Sequence, residues 1–152
     1  MSTTIRSIIN GLATRLAAID GTGSYGTDLD SRVYKPWLAK PEGAQRPCLS
    51  IDGYTDTIID PSLSTCGART TTIRLIGHIA TDGADSDDTR ADRACQLAQD
   101  IGVAIAADST LGIPGVHCWV ARETVDLGQA GLKDGQVDAY LTVTWIGTGG
   151  SL

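Results

Sequence analysis

The chain has 152 residues, of which 41% are hydrophobic and 20% charged, and 18 acidic side chains against 12 basic ones leave a net charge of −6. A chain of this size buries about 68–70% of its unfolded surface and can hold a core without covalent staples, so it reads as a single domain over 1–147 followed by a flexible tail over 148–152. The acidic balance argues against a surface that grips duplex DNA, and without an apolar run of about 18 residues no membrane-spanning helix is expected.

Ile5, Ile8, Ile9, Leu12, Leu16 and Ile19 fall on one helical stripe and predict a helix over 5–19. Ser2, Thr3 or Thr4 would cap it, and Gly21 would stop it. Gly11 inside it costs about 1 kcal/mol relative to alanine. This start has no signal-peptide apolar block. Gly21–Asp30 is a glycine- and aspartate-rich loop, Arg32-Val33-Tyr34 is a short β stretch stopped by Pro36, and Lys35–Gln45 is irregular. Cys48–Asp52 alternates as a strand with Leu49 and Ile51 inward.

Gly53–Ala68 shows no periodicity. Loops longer than about 12–15 residues are uncommon in compact domains unless they are functional or disordered. This segment is therefore expected to be a loop that orders only against a partner.

Arg69–Ala80 is the strongest strand, with Ile73, Leu75, Gly77 and Ile79 on one face and Thr72, Arg74, Ile76 and His78 on the other. The acidic turn Asp82–Asp88 opens a second helix, capped by Asp85, Ser86 or Asp87. That helix runs to about Ala107 with Ala91, Ala94, Cys95, Ala98, Ile101 and Ile105 on one side. A loop over 108–115 leads to strands Val116–Asp126 and Val137–Ile146, joined by a glycine-containing hairpin loop. Val137, Ala139, Leu141, Val143 and Trp145 share one face of the last strand. The order α-β-β-β-α-β-β defines an α+β protein.

The sequence offers little chemistry. Gly21-Thr22-Gly23-Ser24-Tyr25-Gly26 matches a dinucleotide glycine pattern in letters, but it follows a helix instead of opening one, so a flexible connection is expected. His78 lies within a strand and His117 at a strand start, and no Gly-x-Ser-x-Gly elbow is present. Cys118 in an apolar strand lacks the base and exposure that a nucleophile needs. Cys48, Cys66, Cys95 and Cys118 are expected to be reduced, Cys95 and Cys118 as small buried hydrophobes. Cys66, His78, Cys95 and His117 have no zinc-site spacing, and the Asp82–Asp88 cluster lacks the glycine and glutamate of a calcium loop. Trp37, Trp119 and Trp145 are scattered without basic companions in the sequence and read as core or interface anchors. No catalytic, cofactor or metal site is expected.

The layout resembles the tail terminator (tail-completion, minor tail) proteins of long-tailed bacteriophages. The resemblance is carried by the helix Ile5–Ile19, by Arg32-Val33-Tyr34, by Pro47-Cys48-Leu49-Ser50-Ile51 and by the strand Thr70–Ile79. Ala94-Cys95-Gln96-Leu97-Ala98-Gln99-Asp100-Ile101 and Asp108-Ser109-Thr110-Leu111-Gly112 complete it. It implies a mostly antiparallel sheet of four to five strands with two helices on one face. It further implies a virion protein, assembled in the host cytoplasm, that forms a homohexameric ring. The ring caps the tail tube, meets a head-side connector and lets DNA pass through its lumen without specific binding. It implies no enzyme activity, cofactor or membrane contact.

The candidate contacts with ring neighbours or the tube are Tyr54, Asp56, Ile58, Ile59, Arg69, Arg74, Ile76, Asp85 and Asp87. Arg69 and Arg74 are expected to pair across the subunit boundary with acids such as Asp85 or Asp87. The alternatives are a head–tail connector (stopper or adaptor) of the neck and a small cellular ligand-binding α+β domain.

Overall fold

The computed structural model describes residues 3–37, 47–58, 68–79, 87–126 and 135–146. Helix α1 covers Ile5–Leu16. Of the three candidate caps, Thr4 takes the position: its Oγ1 accepts the Ser7 amide at 3.2 Å, and the Ser7 hydroxyl accepts the Thr4 amide at 2.9 Å. The expected stripe is buried to the last residue, Ile19 included. The helix itself ends three residues before Ile19, because the chain unwinds through left-handed Gly21 and Gly23 while Asp20 accepts the Thr22 amide at 3.0 Å. Ile19 then reaches the core from a turn, held by its own amide on the Leu16 carbonyl and by the Leu29 amide on its carbonyl.

Five strands form one sheet: β1 (Val33–Tyr34), β2 (Cys48–Ile58), β3 (Ala68–His78), β4 (His117–Asp126) and β5 (Gln136–Ile146). Their spatial order is β1-β2-β3-β5-β4, with β1 parallel to β2 and every other pair antiparallel. Leu49, Ile51, Ile73, Leu75, Ile79, Val137, Ala139, Leu141, Val143 and Trp145 are buried, as their alternation predicts. They join the stripe of α1 and the inner side of helix α2 (Asp87–Ala107) in one hydrophobic cluster.

The segment Gly53–Ala68 departs from expectation. Residues 53–58 continue β2 and pair with β3, from Gly53 opposite Arg74 to Ile58 opposite Arg69. A β-bulge between Ile51 and Gly53 shifts the alternation by one residue, so the two halves of the strand are out of phase in the sequence. These residues are ordered within the subunit and need no partner to pair; residues 59–67 lie outside the described ones.

Helix α2 also differs in detail. Its buried line runs through Arg90, Ala94, Leu97, Ala98, Asp100, Ile101, Ala104 and Ile105, which turns Cys95 out to solvent instead of into the core. The capping turn over 82–86, like the tail over 148–152, falls outside the described residues.

Gly11 has a role that propensity alone does not reveal. A Cβ there would lie 2.6 Å from the Leu111 carbonyl oxygen, so the loop after α2 packs directly on the α1 backbone. Gly11→Ala should therefore destabilise the fold by about 1–3 kcal/mol through overpacking, despite alanine's advantage of about 1 kcal/mol in a helix. Urea denaturation of the two proteins measures the sign.

Candidate functional site

The helices cover one face of the sheet and leave the other without a packing layer among the described residues. Cross-strand registers order that open face. Thr55, Thr72, Thr142 and Trp119 form one row across β2, β3, β5 and β4, and Thr70, Thr144 and His117 form part of the next. Trp119 is 39% exposed, its ring 5.1 Å from that of His117. The Arg122 guanidinium stacks 4.3 Å from the Tyr140 ring. Strand alternation explains this placement: Cys118 points into the core, so His117 and Trp119 point out. That signal was present in the sequence for Trp119.

The candidate contact residues are dispersed. Arg74 is on the open face but is engaged within its own chain, with Asp138 at 3.2 Å and Asp52 at 3.4 Å. The hydrogen bond that Arg74 donates to Asp138, more than any other interaction, raises its pKa further above the ordinary arginine value. Gln136 Nε2 donates to the same Asp138 at 2.9 Å. The expected acid for Arg74 was Asp85 or Asp87; the acids that hold it in the subunit are cross-strand neighbours. Arg69 is not a surface residue. It faces the helix side, 7% exposed, with its guanidinium 5.5 Å from the Trp145 ring. Trp145 in turn donates its indole N–H to Thr71 Oγ1 at 2.8 Å. Tyr54 is 46% exposed and Ile76 half-buried. Asp56 and Ile58 lie in β2, Asp87 opens α2, and Ile59 and Asp85 are outside the described residues.

The tryptophans also differ from expectation, because Trp37 and Trp145 have basic companions, Arg6 and Arg69 from distant parts of the chain and Lys35 from two residues before Trp37. Trp37, 41% exposed, has the Arg6 guanidinium at 4.9 Å and the Lys35 ammonium at 5.9 Å.

The glycine-rich segment is tethered, not flexible, at its far end. Asp100, fully buried on α2, accepts the Gly26 amide at 3.2 Å, the Thr27 amide at 2.7 Å and the Gln96 amide nitrogen at 2.8 Å. A Cβ at Gly26 would meet Gln96 Cδ at 2.5 Å, which accounts for that glycine. Of the motif's amides, that of Gly26 is taken by this carboxylate, that of Thr22 by Asp20 and that of Tyr25 by the Thr22 carbonyl. Beside this tether is an open cleft of about 370 Å³ lined by Gly26, Thr27, Asp28, Pro47, Ile79, Arg93 and Gln96. His78 and His117 sit at opposite ends of the sheet, beside Gln136 and Thr144 of β5. Burial pushes the Cys118 thiol up to about 12, so it is held protonated.

No protein-family profile matches the chain, and no curated protein is significantly similar to it. Solved structures do match. One is a virion chain. It comes from a structure described as "Virion of native gene transfer agent (GTA) particle", at 15% identity and a TM-score of 0.53, covering 95% of this chain and 96% of that one. At that identity the likeness shows a shared fold, and it spans both chains nearly end to end.

Two outcomes follow from the geometry. Asp100→Ala removes the charged acceptor of the Gly26 and Thr27 amides, and should cost about 1–3 kcal/mol through two lost charge-assisted hydrogen bonds and accelerate hydrogen exchange at Gly26 and Thr27. In native protein at pH 8, alkylation should modify Cys95, whereas Cys48 and Cys118 should react only after unfolding, as peptide mass mapping would show.

Proposed function

We propose that this protein is a virion structural subunit that closes the end of a phage tail tube as a ring, stops tube growth and presents the joint to a head-side connector. The observation that carries the reading is the fold shared over nearly the whole length with a chain of a phage-like virion particle. The layout of elements, which resembles tail terminators, supports the finer assignment to the tube end.

Three physical features agree with it. Among the described residues a one-sided sheet leaves a broad face and edge stretches on β4 and on β2 over 53–58 for contacts with other chains, and Trp119 supplies an exposed aromatic anchor of the kind interfaces favour. A cyclic ring needs two different patches on each subunit, and the two sides of an open sheet are different by construction. A net charge of −6 disfavours adhesion of DNA to the ring, so the phosphate backbone can slide past.

The test is assembly. Native mass spectrometry and negative-stain microscopy should show closed six-fold rings, alone or on the ends of polymerised tail tubes, and tubes so capped should stop elongating. A protein that stays monomeric at high concentration and ignores tube ends would overturn the proposal. Binding to portal-bearing heads instead of tubes would move it to the neck connector.

A further inference from the structure

β4 is an unusual edge strand. It has 10 residues, and all but Cys118, Val120 and Val125 are exposed. Edge strands this long and open invite pairing unless something covers them. On the other side of the sheet, β1 covers β2 only at Leu49 and Ser50, so among the described residues no strand pairs with the outer edge of β2 over 53–58.

Backbone direction shows which amides face outward. The Leu49 amide turns away from β3, to the Arg32 carbonyl at 2.9 Å, and the Cys118 amide turns away from β5, to the Ser109 carbonyl at 2.8 Å. Amide direction alternates along a strand, and the registers carry it past both bulges. The outward amides of β4 beyond the one held by Ser109 are then those of Val120, Glu123 and Val125, opposite Leu141, Ala139 and Val137 of β5. The outward amides of β2 beyond β1 are those of Tyr54, Asp56 and Ile58, which are level with Leu141, Val143 and Trp145 of β5.

Resting on the ring reading above, we infer that the joint between neighbouring subunits is a β-sheet continuation: β4 of one copy pairs with residues 53–58 of β2 in the next. Two observations commit the occupant to a second copy. First, β2, β3, β5 and β4 alternate in direction. An even number of alternating strands means that β4 meets the next copy's β2 antiparallel while both copies stand the same way up, as a cyclic ring requires. Second, the two free stretches are offset along the sheet by four residues, from Ala139 to Val143 at their centres. That is about 13 Å of rise across a four-strand width of about 19 Å. Strands inclined by about 35° to the ring axis would bring the stretches level, and closed sheets tilt by roughly 35–45°.

At this offset Thr124 of one copy faces Thr55 of the next. In a Cys66→Ser, Cys95→Ser background, Thr55→Cys with Thr124→Cys should give an oxidised ladder of covalent oligomers up to the full ring, and neither single variant should. Glu123→Pro removes an outward amide without touching the β5 ladder. It should raise the concentration needed for ring assembly roughly tenfold or more, whereas Glu123→Ala, which keeps the amide, should assemble like the parent. Far-UV circular dichroism of the dilute, reduced, unassembled subunits should be the same in all of them. Rings that form without the cross-link and ignore Glu123→Pro would overturn this joint and leave the ring standing. A parent protein that forms no ring would remove both.

Discussion

The fully buried apolar side chains of the sheet go to one side, where the two helices cover them. Everything else about the molecule depends on this constraint. The central pair β3–β5 aligns eleven residues with eleven in register, so one alternation sets the inward face of both strands at once. Because the helices are used up on that face, the opposite one keeps its threonine rows, its arginine pairs and Trp119 in water. Cross-strand threonine contacts and the Arg74–Asp138 pair steady this surface without giving it a second core.

Close approach of backbone elements is the second constraint. Gly11 lets the loop after α2 lie on α1, and Gly26 lets the loop after α1 lie on α2. The two contacts are reciprocal, each loop resting on the other element's helix. Asp100 completes the arrangement by accepting amides from a segment 73 and 74 residues away in sequence. Its burial is tolerable because three donors satisfy it. A glycine-rich stretch that looks like a phosphate cradle in letters is thus a structural clasp, its charge requirement already met from inside.

The functional reading rests on shape, not on reactive groups. Among the described residues the sheet has one face without a packing layer and unpaired edge stretches on β4 and on β2 over 53–58, and edges are where strands from other chains add. The fold corresponds, nearly end to end, with that of a chain from a gene transfer agent virion.

Much of this architecture is legible from local pattern. The two helices, the strand alternation and the α-β-β-β-α-β-β order follow from periods of 3.6 and 2, which each segment carries in its own residues, and the outward aim of Trp119 follows from the inward aim of Cys118. The length of β2 was hidden because a single bulge at Asp52 reverses the phase that periodicity depends on. The burial of Arg69, the in-chain partners of Arg74, the approach of Arg6 to Trp37 and the clasp at Asp100 were hidden for another reason. Each joins residues from separate elements, and no local rule states which elements will meet. The same holds for the sheet's rim: which backbone amides are left over is a property of strand order and register, and those exist only once the chain has folded.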